Sequence, residues 1–262
     1  MSEPNFTTHA HAGEADGPVM STPETLSGIF FEPGRTFEAL RARPRFLVAG
    51  LIALVAFMAF YVTYMQRIGY DQIVDSEIAV ARKSNSSMTD EQAAAGAQIQ
   101  KGAIVKTIRT WSPIIVFAIF FAAGAGLYLL GTNLMGGRMT YKQSLAVWVY
   151  SSMPPLLVMT ILNFVLLFVS PPDEAADIAQ GAGRGLVRAS PGALVDGSAH
   201  PVLATALGSL DLLALYGLFL AALGLRKVGK LSKGNAWTVV LILWGIGVAA
   251  RIATAAFFGR VS

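Results

Sequence analysis

Residues 46–65 read FLVAGLIALVAFMAFYVTYM, twenty consecutive positions without an Asp, Glu, Lys or Arg, and the run ends at Gln66 and Arg67. At 1.5 Å per helical residue it covers about 30 Å, the hydrocarbon thickness of a bilayer. Its apolar residues are massed in one block instead of recurring along one face, so the segment suits a helix surrounded by lipid. Four further blocks of this kind follow, at 113–135, 144–169, 201–225 and 236–258. The predicted fold class is all-α: a polytopic membrane protein built as a five-transmembrane-helix bundle. Composition agrees, because 54% of the 262 residues are hydrophobic and 14% charged, with a mean hydropathy of +0.55 that is too high for a water-soluble domain.

The connections between blocks alternate in charge. Segments 136–143 and 226–235 hold Arg138, Lys142, Arg226, Lys227, Lys230 and Lys233 and no acid. Segments 66–112 and 170–200 mix both signs. Short loops rich in Lys and Arg stay in the cytoplasm, so the amino terminus is expected inside and the carboxyl terminus outside. The net charge of +4 is then a consequence of topology and needs no nucleic-acid partner.

Residues 1–21 contain acids and prolines but no apolar run, and are expected to be a disordered tail. They lack the basic start and apolar stretch of a signal peptide, so nothing argues for cleavage. The membrane domain is expected over 22–262. At its start, Leu26, Ile29 and Phe30, then Phe37 and Leu40, alternate with Arg35, Arg41, Arg43 and Arg45 around Pro33. Two short amphipathic helices are predicted to lie at the interface, apolar residues toward lipid and arginines toward phosphate. The other reading is a stub packed on the bundle. Within 66–112, Thr89 and Gln92 stand at capping-box spacing before an Ala-rich stretch, which predicts a helix on the outer surface. Pro113 is expected to open the second span. Segment 170–200, rich in Pro, Gly and Ala, shows no period and is expected to be mobile.

The costly residues inside the blocks are Asp211 and Arg251. Counted from the outer ends of their spans they lie about 15 Å and 10 Å deep, close enough for an arginine to reach a carboxylate in an antiparallel hairpin. Asn163 falls in the same layer. Three readings stay open for Asp211, Arg251 and Asn163: structural glue, a ligand or ion site, or an arginine that snorkels outward. Pro154 and Pro155 follow Tyr150, Ser151 and Ser152 and predict a kink in the third span. Ala118, Ala122 and Gly126 recur every four residues, with Gly124, Gly131, Gly245 and Gly247 on the same two spans, and such small faces allow close helix contact within the chain or with a second copy.

Motifs for chemistry are missing. No cysteine is present, which excludes disulfides, thiol nucleophiles and Cys-based metal sites. Inspection finds no HExxH, GxSxG or P-loop pattern, and no second intramembrane acid stands beside Asp211. The glycine run at 181–185 lacks a flanking strand and helix, and His9 and His11 have no further ligand nearby. No catalytic residue, metal or cofactor is expected.

Three stretches nevertheless have a recognisable order. Ile29-Phe30-Phe31-Glu32-Pro33-Gly34-Arg35-Thr36-Phe37 is followed by Pro44; Gly136-Gly137-Arg138-Met139-Thr140-Tyr141-Lys142-Gln143 leads to Tyr150 and Pro154; Leu223-Gly224-Leu225-Arg226-Lys227-Val228 precedes the last span. In this order and spacing the chain resembles the Yip (Ypt-interacting protein) family in its bacterial branch, over roughly residues 26–260. The resemblance implies a five-helix membrane domain with a cytoplasmic amino terminus. Eukaryotic members bind Rab GTPases and help to shape or sort transport vesicles. This chain departs from them in its long outer loops and short amino-terminal tail. No catalytic residue carries over. The function expected is therefore non-enzymatic: membrane organisation, or a scaffold whose partners are the lipid bilayer, proteins at the cytoplasmic face and a second copy of the chain. A small-molecule or ion transporter using the polar layer is the alternative.

Overall fold

Several helix starts in this chain are set by side-chain caps. Ser21 and Glu24 form a capping box that opens α1 (Thr22–Phe31), and the Ser21 backbone amide and hydroxyl hold the Glu24 carboxyl below its ordinary range. Thr89 and Gln92 open the helix Asp90–Lys101 in the same way, and Thr140 and Gln143 open the helix Tyr141–Val169. The computed structural model describes residues 19–85, 87–171, 190–197 and 199–258. In order after α1 come α2 (Pro33–Ala42), α3 (Leu47–Ile68), α4 (Tyr70–Ser84), α5 (Asp90–Lys101), α6 (Ala103–Leu134) and α7 (Tyr141–Val169). A 3₁₀ turn at Pro191–Leu194 precedes α8 (Pro201–Gly208), α9 (Leu212–Val228) and α10 (Lys233–Phe258). No strand occurs among the described residues.

Four helices, α3, α6, α7 and α10, are long and apolar enough to cross a membrane. A fifth crossing would be the pair α8 and α9, which is bent by 46° at its junction. The sequence block 201–225 is thus two helices. Ser209 turns its hydroxyl back to the Thr205 carbonyl at 2.9 Å, and Asp211 starts the next helix.

α7 is the central element and packs on α3, α6 and α9. Lipid gives apolar surfaces no reason to associate, so contact depends on fit. Ala49 and Ala53, one turn apart on α3, are fully buried. On α9, Gly224 lets Val147 of α7 and Phe37 of α2 approach: a Cβ there would lie 2.7 Å from Val147 and 3.0 Å from Phe37. Gly124 of α6 does the same for the Trp148 ring, 2.2 Å from the position a Cβ would take, and Gly131 for Val239 at 2.6 Å. The small residues of α6 therefore serve packing within the chain at Gly124 and Gly131. Gly126, Gly245 and Gly247 have nothing within 4 Å of an added Cβ.

Two expectations need correction and a third holds with an addition. First, α1 and α2 are amphipathic, but Ile29, Phe37 and Leu40 are fully buried in the main core with Val147, Tyr150 and Leu220. These three residues meet protein instead of lipid, so the packed stub is the arrangement found, while Phe30 and Phe31 stay exposed. Second, α6 begins at Ala103, ten residues before Pro113, and the proline lies inside it. Pro113 leaves the carbonyl of Arg109 without its helical donor, and the Tyr61 hydroxyl of α3 fills the gap at 3.2 Å. Third, the expected surface helix after Thr89 is joined by α4, and the two pack together. Of the tail expected to be disordered, residues 1–18 lie outside the described residues, whereas Met20 is buried and Ser21 caps α1. Of segment 170–200, residues 172–189 and 198 lie outside them as well.

Candidate functional site

The residues expected to form an intramembrane polar layer lie on α7, at the start of α9 and on α10. Asp211 is the N-cap of α9, its Oδ1 accepting from the backbone N–H of Leu213 at 2.9 Å and of Ala214 at 3.0 Å. This is the ordinary use of a carboxylate at a helix start, where it satisfies two orphan donors and faces the positive end of the dipole. Asn163 is buried in α7 and donates from Nδ2 to the carbonyl of Met159 on its own helix at 2.8 Å. Arg251 is exposed on α10. Among the described residues no ion pair joins Asp211 to Arg251. The pairing expected from depth counting fails because α8 and α9 are bent at the very position of Asp211.

Pro154 and Pro155 lie within α7, which continues through both. Proline at 155 frees the carbonyl of Ser151, and Gly217 of α9 comes against this spot, its Cβ position 3.4 Å from Pro155 Cγ and 3.6 Å from the Ser151 oxygen. The backbone of α9 covers the place where α7 lacks a donor.

The basic residues, by contrast, are brought together. The Glu38 carboxylate of α2 accepts from Lys227 Nζ of α9. Gln143 Nε2 of α7 donates to the Arg41 carbonyl at 2.8 Å, the amide of Arg138 donates to the Gly229 carbonyl at 3.2 Å, and Asn235 Nδ2 donates to the Met135 carbonyl at 3.1 Å. Gly136, with φ +80°, makes the turn after α6. Gly137 then lies so close to Gly229 that a Cβ would sit 2.6 Å from its oxygen.

These bonds fasten residues 32–45, 135–143 and 226–235 into one end of the bundle. That end carries Arg35, Arg41, Arg43, Arg45, Arg138, Lys142, Arg226, Lys227, Lys230 and Lys233 against two acids, Glu32 and Glu38. Arg35 pairs with Glu32, and Arg45 Nη1 points to the Met20 carbonyl and Thr22 Oγ1 at 3.4 Å each.

Acids are interleaved with the charges at the other end. Arg109 pairs with Glu77, Lys101 with Asp75 at 2.6 Å and Arg82 with Asp90. Three bases of segment 66–112 thus meet acids of the same segment, whereas Arg67 donates to the Leu167 carbonyl at 2.7 Å and Lys106 lies over the Tyr70 ring. Sequence reading missed Glu38, Asn235 and Tyr61, whose partners lie 48 to 189 residues away. Gln143 had a usable signal, its capping-box spacing from Thr140. No group of three or more His, Asp or Glu able to hold a metal occurs among the described residues.

Comparison with known proteins places this arrangement among relatives. The family model described as the Yip1 domain matches residues 27–253. A curated relative, "Membrane protein YknW" of Bacillus subtilis (strain 168), is 27% identical over 227 residues, covering 85% of this chain and 86% of the relative. No solved structure matches.

Proposed function

The chain belongs to the Yip1 domain family, and from that premise we propose that it is a non-enzymatic scaffold of a bacterial inner membrane that presents its basic end to protein partners in the cytoplasm. The observation that carries this reading is the clamping of three separate segments, with ten basic residues and two acids, onto a single end of the bundle. A surface fixed by backbone and side-chain bonds is preorganised, which lowers the ordering cost of binding an acidic partner. The amino terminus belongs on the same side, because α2 is bonded to that end, and the carboxyl terminus outside. The absence of catalytic motifs and the family together support a role without chemistry.

The test is affinity copurification from membranes in mild detergent, with Arg226→Gln, Lys230→Gln and Lys233→Gln combined as the comparison. A reproducible partner set from the parent chain, lost with the three substitutions, is expected. Recovery of the lone protein, with unaltered membrane morphology on deletion and overexpression, would overturn the reading. Tags at the two ends, probed in intact and permeabilised cells, test the orientation.

Transport is kept as a second reading by one feature, the 46° bend between α8 and α9, since interrupted helices line substrate paths in transporters. Flux in proteoliposomes under an imposed gradient, compared between the parent and Asp211→Asn, distinguishes the two.

A further inference from the structure

The basic end adjoins an apolar groove that the scaffold reading does not use. It lies between α3, α6 and α7 and has a volume of about 250 Å³. Gly50, Ala118 and Ala122 leave the space, and Leu47, Leu54 and Phe117 are among the side chains around it. All of its lining residues are apolar. On α3 the lining runs from the helix start to Leu54, about 10 Å along the axis. On α7 it uses Leu145 and Val149, again in the first turns. The groove therefore begins at the helix ends that carry the basic residues and runs toward the middle of the bundle.

Two cations stand at that beginning. Arg43 precedes the lining residue Phe46 by three positions, and Lys142 lies one turn before Leu145 on the same face of α7. The bond from Gln143 Nε2 to the Arg41 carbonyl holds these two stretches side by side. Arg43 and Lys142 are both exposed, and neither forms an ion pair among the described residues. Arg35 and Lys227 have carboxylates and Arg45 is turned toward α1, whereas Arg43 and Lys142 are exposed and each stands three positions before a lining residue of the groove.

We propose that the groove holds one acyl chain of an anionic phospholipid from the adjoining leaflet, with the phosphate between Arg43 and Lys142. A lining without polar atoms to offer accepts hydrocarbon, while the mouth calls for an anion. A phospholipid supplies both at the spacing of an interface. A second copy of the chain supplies hydrocarbon only: packed side by side through this groove in one membrane, it would bring its own Arg43 and Lys142 against these. The inference needs the basic end to sit at a membrane surface and does not depend on any protein partner.

The experiment places the full chain in nanodiscs of phosphatidylcholine with a minor fraction of phosphatidylglycerol, either lipid carrying a photoactivatable diazirine in mid-chain. Crosslinked peptides are read by mass spectrometry. The phosphatidylglycerol probe is expected to label residues 47–54 and 114–122 in preference to the phosphatidylcholine probe. Arg43→Gln with Lys142→Gln leaves the packing untouched and should lower that preference by about fivefold for each charge removed. Gly50→Leu with Ala118→Leu should abolish the preference of these peptides for the phosphatidylglycerol probe, leaving only the annular labelling that both probes share. Position 50 has room for a side chain, the nearest atom to an added Cβ being Val149 Cγ1 at 3.9 Å. Equal labelling by both probes in the parent chain, unchanged in the Arg43 and Lys142 variant, would mean annular lipid only and would overturn the proposal. So would the absence of labelling of residues 47–54 and 114–122 by either probe in the parent chain.

Discussion

The phenolic hydroxyl of Tyr150 donates to Thr25 Oγ1 at 3.2 Å, joining α7 to α1 across 125 residues of sequence. Both residues are buried, and the Thr25 hydroxyl gives its own hydrogen to the Thr22 carbonyl at 2.8 Å, so it is free to accept. This bond acts with those at Glu38 and Arg41 in fixing where the amino-terminal hairpin docks. Tyr150→Phe should cost about 1 kcal/mol. Thr25→Val should cost about 1–3 kcal/mol, because it leaves a buried hydroxyl without a partner. Hydrogen exchange should rise over residues 22–42 in both variants and stay unchanged in α4 and α5. Parent-like exchange over 22–42 in both would show that the hairpin docks through its apolar face alone.

Gly124 and Gly126 lie on one helix and should respond oppositely to the same substitution. Gly124→Ala forces a methyl group into the Trp148 ring and should destabilise by about 1–3 kcal/mol. Gly126→Ala meets nothing within 4 Å and should be neutral or gain up to about 1 kcal/mol from helix propensity. Thermal unfolding in detergent measures both. Equal shifts would mean that the α6 and α7 contact is looser than the geometry indicates.

What was legible in the sequence was local or additive. The apolar blocks at 46–65 and 144–169 appear as α3 and α7 because window composition needs no knowledge of partners. The Thr89 and Gln92 spacing foretold the start of α5 because a capping box closes within four residues. Ile29, Phe37 and Leu40 marked a buried face, but periodicity does not say whether lipid or protein covers it. Asp211 carried a usable N-cap signal, an acid just before an apolar run, that was lost by averaging over 201–225 as one block. Of the site, the ten basic residues could be listed from sequence. Their assembly could not, since it depends on Glu38, Gln143 and Asn235 reaching segments 100 to 189 residues away.

Pro113 was misread for the same reason, and its correction is testable. Its helix survives because Tyr61, 48 residues earlier than Arg109, supplies the hydrogen that the proline cannot, with Ser112 Oγ a distant second donor at 3.5 Å. Tyr61→Phe should cost about 1 kcal/mol in the parent chain. In a Pro113→Ala background the restored backbone N–H competes for the same carbonyl, so the cost of Tyr61→Phe should fall to about half or less. A double-mutant cycle on unfolding midpoints reads the coupling. Additive effects would show that the tyrosine merely packs.

Asp211 decides between a cap and a charge. As an N-cap it works through an oxygen that accepts from Leu213 and Ala214, and asparagine offers the same acceptor in the same place. Asp211→Asn should therefore stay within about 0.5 kcal/mol of the parent, while Asp211→Ala should cost about 1 kcal/mol, both measured by thermal unfolding in detergent. If Arg251 drew its stability from this carboxylate, Asp211→Asn would be as damaging as Asp211→Ala, and Arg251→Gln would remove the difference. The geometry predicts instead that Arg251→Gln adds to either substitution within about 0.5 kcal/mol, the behaviour of sites that share no partner. A coupling well above that value would restore the charge pair and return Asp211 to the list of residues a transported ion could meet.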